Sequence, residues 1–513
     1  MNSEFHSITG PSAADGRSSC SQTEAIDGKI IQGSLWLFGL KLTTRSIGFL
    51  STLVLARLLA PSEFGTLGIA VLAMGILEMF SQTGFDSALI QKKGGISEYL
   101  DATWTISAAR GFLLCVILYF SAHGVGAFFN TPRAEEILRV LALAPLLSGL
   151  ENVGMVFFSK QMAFRKVFIY EMCGNAVNAA VAVSCALVTR SVWALVFGLL
   201  ANRVATVLLS YALHPYRPRF DFHMGKAREL FGFGKWILGT QIVLFLVNRG
   251  DNFFVGKFLG PAALGLYGMA FNIAYLPFSE ITQVLCKVMF PAYALVQDRE
   301  DVLRNTYQKT VQLLAFLSLP FAGSVLLFSF DFTRLFLGEK WIPMVGSLQI
   351  LSFSAACLSI GGITGNLLNG IGKPNIVMHF VSLRLLILGA SIYPCTSRWG
   401  IEGTALAVLA SGTSIGLFQI LWGARECKCA LRVILSDLAI PLAGVAASSL
   451  LVLLLRELWN TTGFGNFFLQ AAVFLAAYFS LCYLAERING YQAFTRIRTI
   501  FLKMAAARSG VMA

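Results

Sequence analysis

The chain has 513 residues, 56% of them apolar and only 13% charged, with a mean hydropathy of +0.69. Soluble domains carry about 25% charged residues, so this composition cannot clothe a water-facing globule. The net charge of +13 is explained by its distribution among the loops and calls for no nucleic-acid partner.

The first 28 residues are polar and rich in Ser and Gly, with no apolar run before Ile30. They read as a solvated tail, since a cleaved signal peptide needs an apolar segment near its start. Beyond them, apolar runs long enough to cross ~30 Å of hydrocarbon as helices recur along the chain. They fall near 31–56, 64–84, 103–129, 137–158, 167–188, 192–213, 235–256, 264–293, 310–336, 344–369, 375–396, 403–424, 434–455 and 466–485. The fold class is an all-α polytopic membrane protein of about fourteen helices. The span at 264–293 is overlong and contains Pro277, which predicts a tilted or kinked helix.

Lysines and arginines are concentrated on one side of this topology, from Lys92 and Lys93 through Arg217, Arg219, Lys226 and Arg228 to Lys428 and Arg432. The opposite loops hold fewer, among them Arg57, Arg133, Arg190 and Lys257. By the positive-inside rule the richer side is cytoplasmic, and an even number of spans puts both termini there. The ten cysteines are scattered singly, mostly in apolar segments, and read as small hydrophobic fillers. Cys427 and Cys429 lack neighbours to complete a zinc set. No histidine pair has metal spacing. "GGITGNLLNGIG" lacks the strand–glycine–helix context of a phosphate loop, so neither a cofactor nor an enzyme is expected.

"LARLLAPSEFGTLGIA" at 55–70 returns as "VGKFLGPAALGLYGMA" at 255–270. At a constant offset of 200 residues Trp36 matches Trp236 and Gly39 matches Gly239. Leu59, Pro61, Gly65, Gly68 and Ala70 match Leu259, Pro261, Gly265, Gly268 and Ala270, and Arg57 answers Lys257. The register implies duplication, with helices 1–6 (30–213) and 7–12 (231–424) as two lobes joined by a basic linker at 214–230. Helices 13–14 (425–486) and tails at 1–29 and 487–513 complete the division. Even-numbered lobes start on the same side, so the repeat is parallel about an axis along the membrane normal. Transporters built this way carry substrate between rocking lobes.

These features resemble the multidrug/oligosaccharidyl-lipid/polysaccharide exporter superfamily, with six, six and two helices. "TGFDSALIQKKGGISEYLDATWTIS" (83–107), "NRGDNFFVGKFLGPAALGLYGMA" (248–270) and "GNLLNGIGKPNIVM" (365–378) are similar to segments of its polysaccharide branch. The likeness is strongest to the Wzx-type and succinoglycan or colanic-acid exporter group. The resemblance implies a flippase that moves undecaprenyl-diphosphate-linked oligosaccharide to the outer leaflet of a bacterial inner membrane. It would act as a monomer, beside a polysaccharide polymerase and co-polymerase. A drug or cation exporter on the same architecture, and a membrane glycan polymerase or ligase, are the alternatives.

Charges at membrane depth are costly and mark pathways. Lys41 and Arg45, four residues apart, share a helix face near the midpoint of helix 1 and suit a polyanionic diphosphate. An arginine at the position of Arg45 resembles one lining the cavity of the superfamily's lipid II flippases. Arg249, Lys287, Arg110, Arg203 and Arg384 are further candidates for substrate contact. Glu280, Asp251 and Glu78 are candidates for a coupling ion.

Overall fold

The computed structural model describes residues 43–81, 97–160, 163–221, 242–458, 463–489 and 495. Lys41, the Trp36/Trp236 and Gly39/Gly239 matches, most of the segment at 83–107 and the linker beyond 221 lie outside the described residues. Helix α1 is described over 43–58, followed by α2 (Pro61–Phe80), α3 (Ser97–Phe128), α4 (Pro132–Leu141) and α5 (Leu143–Gly149). Then come α6 (Phe164–Thr189), α7 (Trp193–Leu213), α8 (242–258), α9 (Gly260–Val296) and α10 (Glu300–Phe332). The chain continues as α11 (Val345–Gly370), α12 (Pro374–Glu426), α13 (Leu431–Leu458) and α14 (Phe464–Asn489). No strand occurs among the described residues, and nine of their helices are long and apolar enough to cross a membrane.

Four expected spans differ in detail. The fourth, expected as one helix over 137–158, is broken into α4, α5, a 3₁₀ turn at Val153–Met155 and a short helix at Val156–Lys160. Pro145 has no N–H to give the Leu141 carbonyl, so the ladder fails at Ala142. Farther on, the Asn152 side chain accepts the Gly154 N–H at 2.9 Å and starts the 3₁₀ turn. The eleventh and twelfth spans run together as α12, with non-helical backbone only at Trp399 and Gly400. Gly400 sits at φ +57, in the left-handed region that glycine enters freely. The eighth span, α9, extends to 37 residues with both Pro277 and Pro291 inside it.

Among the described residues, the helices up to 213 and those from 242 to 426 form two halves that share a core at one end. That core joins Ala56, Ile69, Leu72, Phe129 and Ala134 of the first half to Val255, Leu264, Tyr267, Trp341 and Leu348 of the second. It lies beside the turns at 58–61 and 258–261, the end poorer in Lys and Arg. Away from it the cores separate. Leu118, Leu138, Leu141 and Val196 pack within the first half, and Tyr293, Tyr307, Leu314 and Leu367 within the second.

At the shared end the repeat meets itself. Pro61 and Pro261 stand in the first turns of α2 and α9, where a missing N–H costs nothing because that donor has no helical partner. The two helices cross there so closely that a Cβ on Gly65 would overlap the Pro261 carbonyl, and one on Gly265 the Pro61 carbonyl. Each Gly also faces the other's backbone nitrogen. The matched residues are thus mutual partners about a local two-fold axis.

Residues 214–221, the described start of the linker, lie along α3. Asp101 accepts from the Tyr216 hydroxyl and from the Arg219 N–H (3.0 Å), and Thr105 Oγ1 accepts from the Asp221 N–H at 2.9 Å. Phe220 packs edge-on against Trp104 at 5.3 Å. At the bend, His214 Nδ1 accepts the Tyr216 N–H at 3.1 Å while its ring stacks on Phe157. Burial, helped by Lys166 and Arg217, holds its pKa below the usual 6.5.

Two predictions follow from this packing. Gly65→Ala or Gly265→Ala overpacks a backbone–backbone contact and is expected to cost about 1–3 kcal/mol, seen as a lower thermal midpoint of the purified protein. Gly362→Ala, with open space around its Cβ, serves as the control. Because the fold depresses the His214 pKa, its contribution is present above the unfolded value of 6.5 and is lost as pH falls through the folded value. The thermal midpoint should therefore fall more steeply below pH 6.5 in the wild type than in His214→Asn, whose amide oxygen replaces the acceptor without titrating.

Candidate functional site

The charged residues singled out in the sequence separate into three groups, and only one of them bridges the two halves. Arg45 on α1 forms an ion pair with Glu280 on α9, Nε to Oε1 3.0 Å. One was a candidate for the diphosphate and the other for a coupling ion, and the fold makes them partners. The Arg45 side chain is 57% exposed and that of Glu280 24%. A guanidinium carries five N–H donors, so a single carboxylate contact leaves most of them free. Lys287 lies two helical turns beyond Glu280 on the same face of α9 and is exposed. Thr282, on the opposite side of α9, is hydrogen-bonded at 2.6 Å to the buried Ser359 of α11.

A second group is internal to the second half. Asp251 is buried and accepts from the Tyr267 hydroxyl and the Asn252 N–H, each at 2.8 Å. Arg384, approaching from α12, lies within electrostatic reach of Asp251, Tyr267 and Tyr275. Its buried Nε has no hydrogen-bond partner. Tyr275 stacks on Phe271 and reaches Ser354 at 3.4 Å. Arg249 and Asp251, two residues apart on α8, face differently: the arginine is exposed and the carboxylate enclosed.

The third group lies inside the first half. Arg110 Nε donates to Ser81 Oγ at 2.9 Å, and its Nη2 to the Glu78 backbone carbonyl at 3.4 Å. Arg110 and Arg203 both act on the Glu78 carboxylate. Glu151 accepts from the Tyr170 hydroxyl at 2.9 Å and from Thr206 Oγ1 at 3.2 Å. Glu78, Arg110, Glu151, Tyr170 and Glu171 line a cavity of about 410 Å³. Tyr170 and Thr206 carry no charge, so nothing in the sequence marks them as members of this cluster. Their partner Glu151 stands 19 and 55 positions away.

Charge at membrane depth is therefore managed in two ways. Inside each half, cations and carboxylates sit together, which limits the cost of removing them from water. Between the halves, the pair has one half-exposed member that can exchange its carboxylate for another anion.

A helical transporter with two repeated halves meeting at one end is the architecture of the multidrug/oligosaccharidyl-lipid/polysaccharide exporter superfamily. The fold matches a structure titled lipid II flippase MurJ, inward closed conformation, with TM-score 0.70 and 12% identity, over 89% of this chain and 99% of that one. It also matches an inward-facing multidrug resistance MATE family transporter with TM-score 0.59 and 16% identity, covering 75% and 98%. Within this superfamily, a family model described as polysaccharide biosynthesis protein matches residues 54–346, and the chain belongs to that family. Its relatives include the lipopolysaccharide biosynthesis protein WzxC of Escherichia coli K12, 25% identical over 74% of this chain and 78% of the relative. The succinoglycan biosynthesis transport protein ExoT of Rhizobium meliloti is 24% identical over 78% and 82%. This is a transporter family and not an enzyme family.

Within the first half, Glu78→Gln leaves Arg110 and Arg203 without their shared anion. We expect a loss of about 1–3 kcal/mol, measured as a lower thermal midpoint. Adding Arg203→Gln should return part of that loss, since the remaining Arg110 keeps its bonds to Ser81 and the Glu78 carbonyl.

Proposed function

We propose that this protein is a flippase carrying an undecaprenyl-diphosphate-linked oligosaccharide from the cytoplasmic to the outer leaflet of a bacterial inner membrane. Residues 30–213 and 231–424 act as two lobes that expose the cleft between them alternately, with both termini cytoplasmic. The polysaccharide biosynthesis and transport roles in the relatives' names, including a putative O-antigen transporter of Shigella flexneri, support the cargo class. The protein works as a monomer and hands its cargo to a polymerase and co-polymerase.

One observation carries the site: the Arg45–Glu280 pair joins the lobes and leaves guanidinium donors exposed. A diphosphate offers more oxygens and more charge than one carboxylate, and arginine binds phosphate through forked bonds. The cargo headgroup therefore competes with Glu280 for Arg45, with Lys41 as a point charge beside it and Lys287 at the cytoplasmic approach. Displacement frees the Glu280 carboxylate to take up a coupling cation or proton. Coupling thus follows from exchange of anions at one arginine. The enclosed Asp251 and Glu78 clusters hold each lobe rigid, and Arg249 supplements the cleft near its outer end. A cation exporter would meet repulsion from this wall.

The test uses a deletion strain and reads the leaflet distribution of the lipid-linked repeat unit together with surface polysaccharide. The glycolipid should accumulate facing the cytoplasm, and Lys41→Ala/Arg45→Ala should fail to relieve it. The swap Arg45→Glu/Glu280→Arg rebuilds the ion pair but moves the cation to the other lobe, and it should also fail. Normal export by the swap would reduce Arg45 to a strut. Normal surface polymer in the deletion strain would remove the cargo assignment itself.

A further inference from the structure

We propose that Arg57 and Lys257, the repeat-matched cations, are a pair of latches holding the outer mouth shut, each closing on the end of the third helix of the opposite half. The inference rests on the two-lobe reading above and adds to it the groups that hold the lobes together at the outer face.

Arg57, in the last turn of α1, donates through Nε to the Phe336 carbonyl at 3.0 Å and through Nη2 to the Leu335 carbonyl. Both acceptors lie in the π-helical turn Thr333–Leu337 that closes α10. Lys257, in the last turn of α8, donates through Nζ to the Phe128 carbonyl at 2.5 Å. Phe128 is the last residue of α3, and the ammonium also stands 4.2 Å from the centroid of its ring. Helices α3 and α10 are the third membrane helices of their halves. Each cation thus reaches across to the corresponding place in the other half.

The chemistry of the acceptors explains the choice of cations. The last four carbonyls of a helix have no intrahelical donor and form the negative end of its dipole. A cation placed there satisfies both an open acceptor and a local field. Lysine adds a cation–π contact with Phe128. Arginine, with more donors, bridges two carbonyls.

The Arg57 side is further reinforced. Lys340 Nζ returns a bond to the Arg57 carbonyl and Trp341 Nε1 one to the Ala56 carbonyl, each at 2.8 Å. These carbonyls close the end of α1, so both helix ends at this junction are capped from the other half. The first latch therefore holds harder than the second.

Such contacts are suited to being broken repeatedly. Arg57, Lys257 and the Leu335, Phe336 and Phe128 carbonyls they close on are near the surface, where water can replace either partner at small cost. The apolar crossing at Gly65 and Gly265 sets how closely the halves approach, and the latches one turn away make the closed angle the preferred one. Because the two contacts are related by the repeat, they release together when the halves rotate about their common axis.

The experiment measures the outer mouth directly, without cargo. Spin labels are placed at Thr189→Cys and Ser397→Cys, exposed positions in outer turns of opposite halves, in full-length protein lacking its native cysteines and reconstituted in bilayers. Arg57→Ala/Lys257→Ala should add a longer-distance population, with a roughly tenfold rise in the ratio of open to closed. Arg57→Ala alone should do more than Lys257→Ala alone. Arg57→Lys and Lys257→Arg keep a cation at each helix end and should retain the wild-type distances. If the double variant does not fold, Arg57→Gln and Lys257→Gln singly give the same reading. A wild-type distance distribution in folded variants lacking the cations overturns the latches and leaves the cargo assignment intact. Loss of export with the expected opening would instead indict the transport cycle downstream of the latches.

Discussion

Everything about this molecule's shape turns on two glycines that face each other's backbone. Gly65 and Gly265 let α2 and α9 cross with carbonyl against Cα, a separation that any side chain would prevent. Once that crossing exists, Ile69 and Leu72 of one half reach Leu264, Tyr267 and Trp341 of the other, and a single core covers the outer end. The prolines that start both helices fix where the crossing falls. Below it the cores divide, because the helices diverge from a point of contact near one end. Toward the cation-rich side the described helices of each half therefore pack around a core of their own.

Charge at membrane depth must be held without destabilising the protein, and the three charged groups show how. A lone ionised group in hydrocarbon costs roughly 2.5–3.5 kcal/mol even on lenient scales. Asp251 offsets part of this by accepting hydrogen bonds from Tyr267 and Asn252 with Arg384 near it. Glu78 does so between Arg110 and Arg203. Among the described residues, Arg45 and Glu280 are the singled-out charges that neutralise one another across the interface, so their pairing depends on how the halves meet. Position, more than the identity of the residues, separates these charges.

The sequence was informative where local pattern dictates structure. Apolar runs located the membrane helices, and the Pro–Gly pattern at 61–70 and 261–270 located the repeat, because proline and glycine have positional meaning within a few residues. The break in the fourth span was equally written in Pro145, but hydropathy averages over a single missing N–H. The sorting of charges was not legible. Arg45, Arg110 and Arg203 look alike in apolar surroundings, and their distinction depends on partners far along the chain: Glu280 for the first, Ser81 and Glu78 for the others. Helix periodicity says which residues share a face but not which helix that face meets. The role of Arg57 and Lys257 fell between these cases. Their match was visible at once, whereas the helix ends they cap could be found only in three dimensions.

Duplication has been kept at the outer end and abandoned where Arg45 meets Glu280. The outer glycines, prolines and cations correspond at an offset of 200, but that offset carries Arg45 to Phe245 and Glu280 to Phe80. The structural equivalence survives the change of chemistry: Arg45 on α1 meets α9 at Glu280, and Phe245 on α8 meets α2 near Gly75. Each half thus leans its first helix on the second helix of the other, once through charge and once through an aromatic ring. A symmetric closure serves any cargo, since it must only open and shut. The amphipathic cargo proposed above would not be met by two identical walls, because a diphosphate needs cations where an apolar chain does not. The loss of symmetry at Arg45 and Phe245 is what that proposal asks of a duplicated fold.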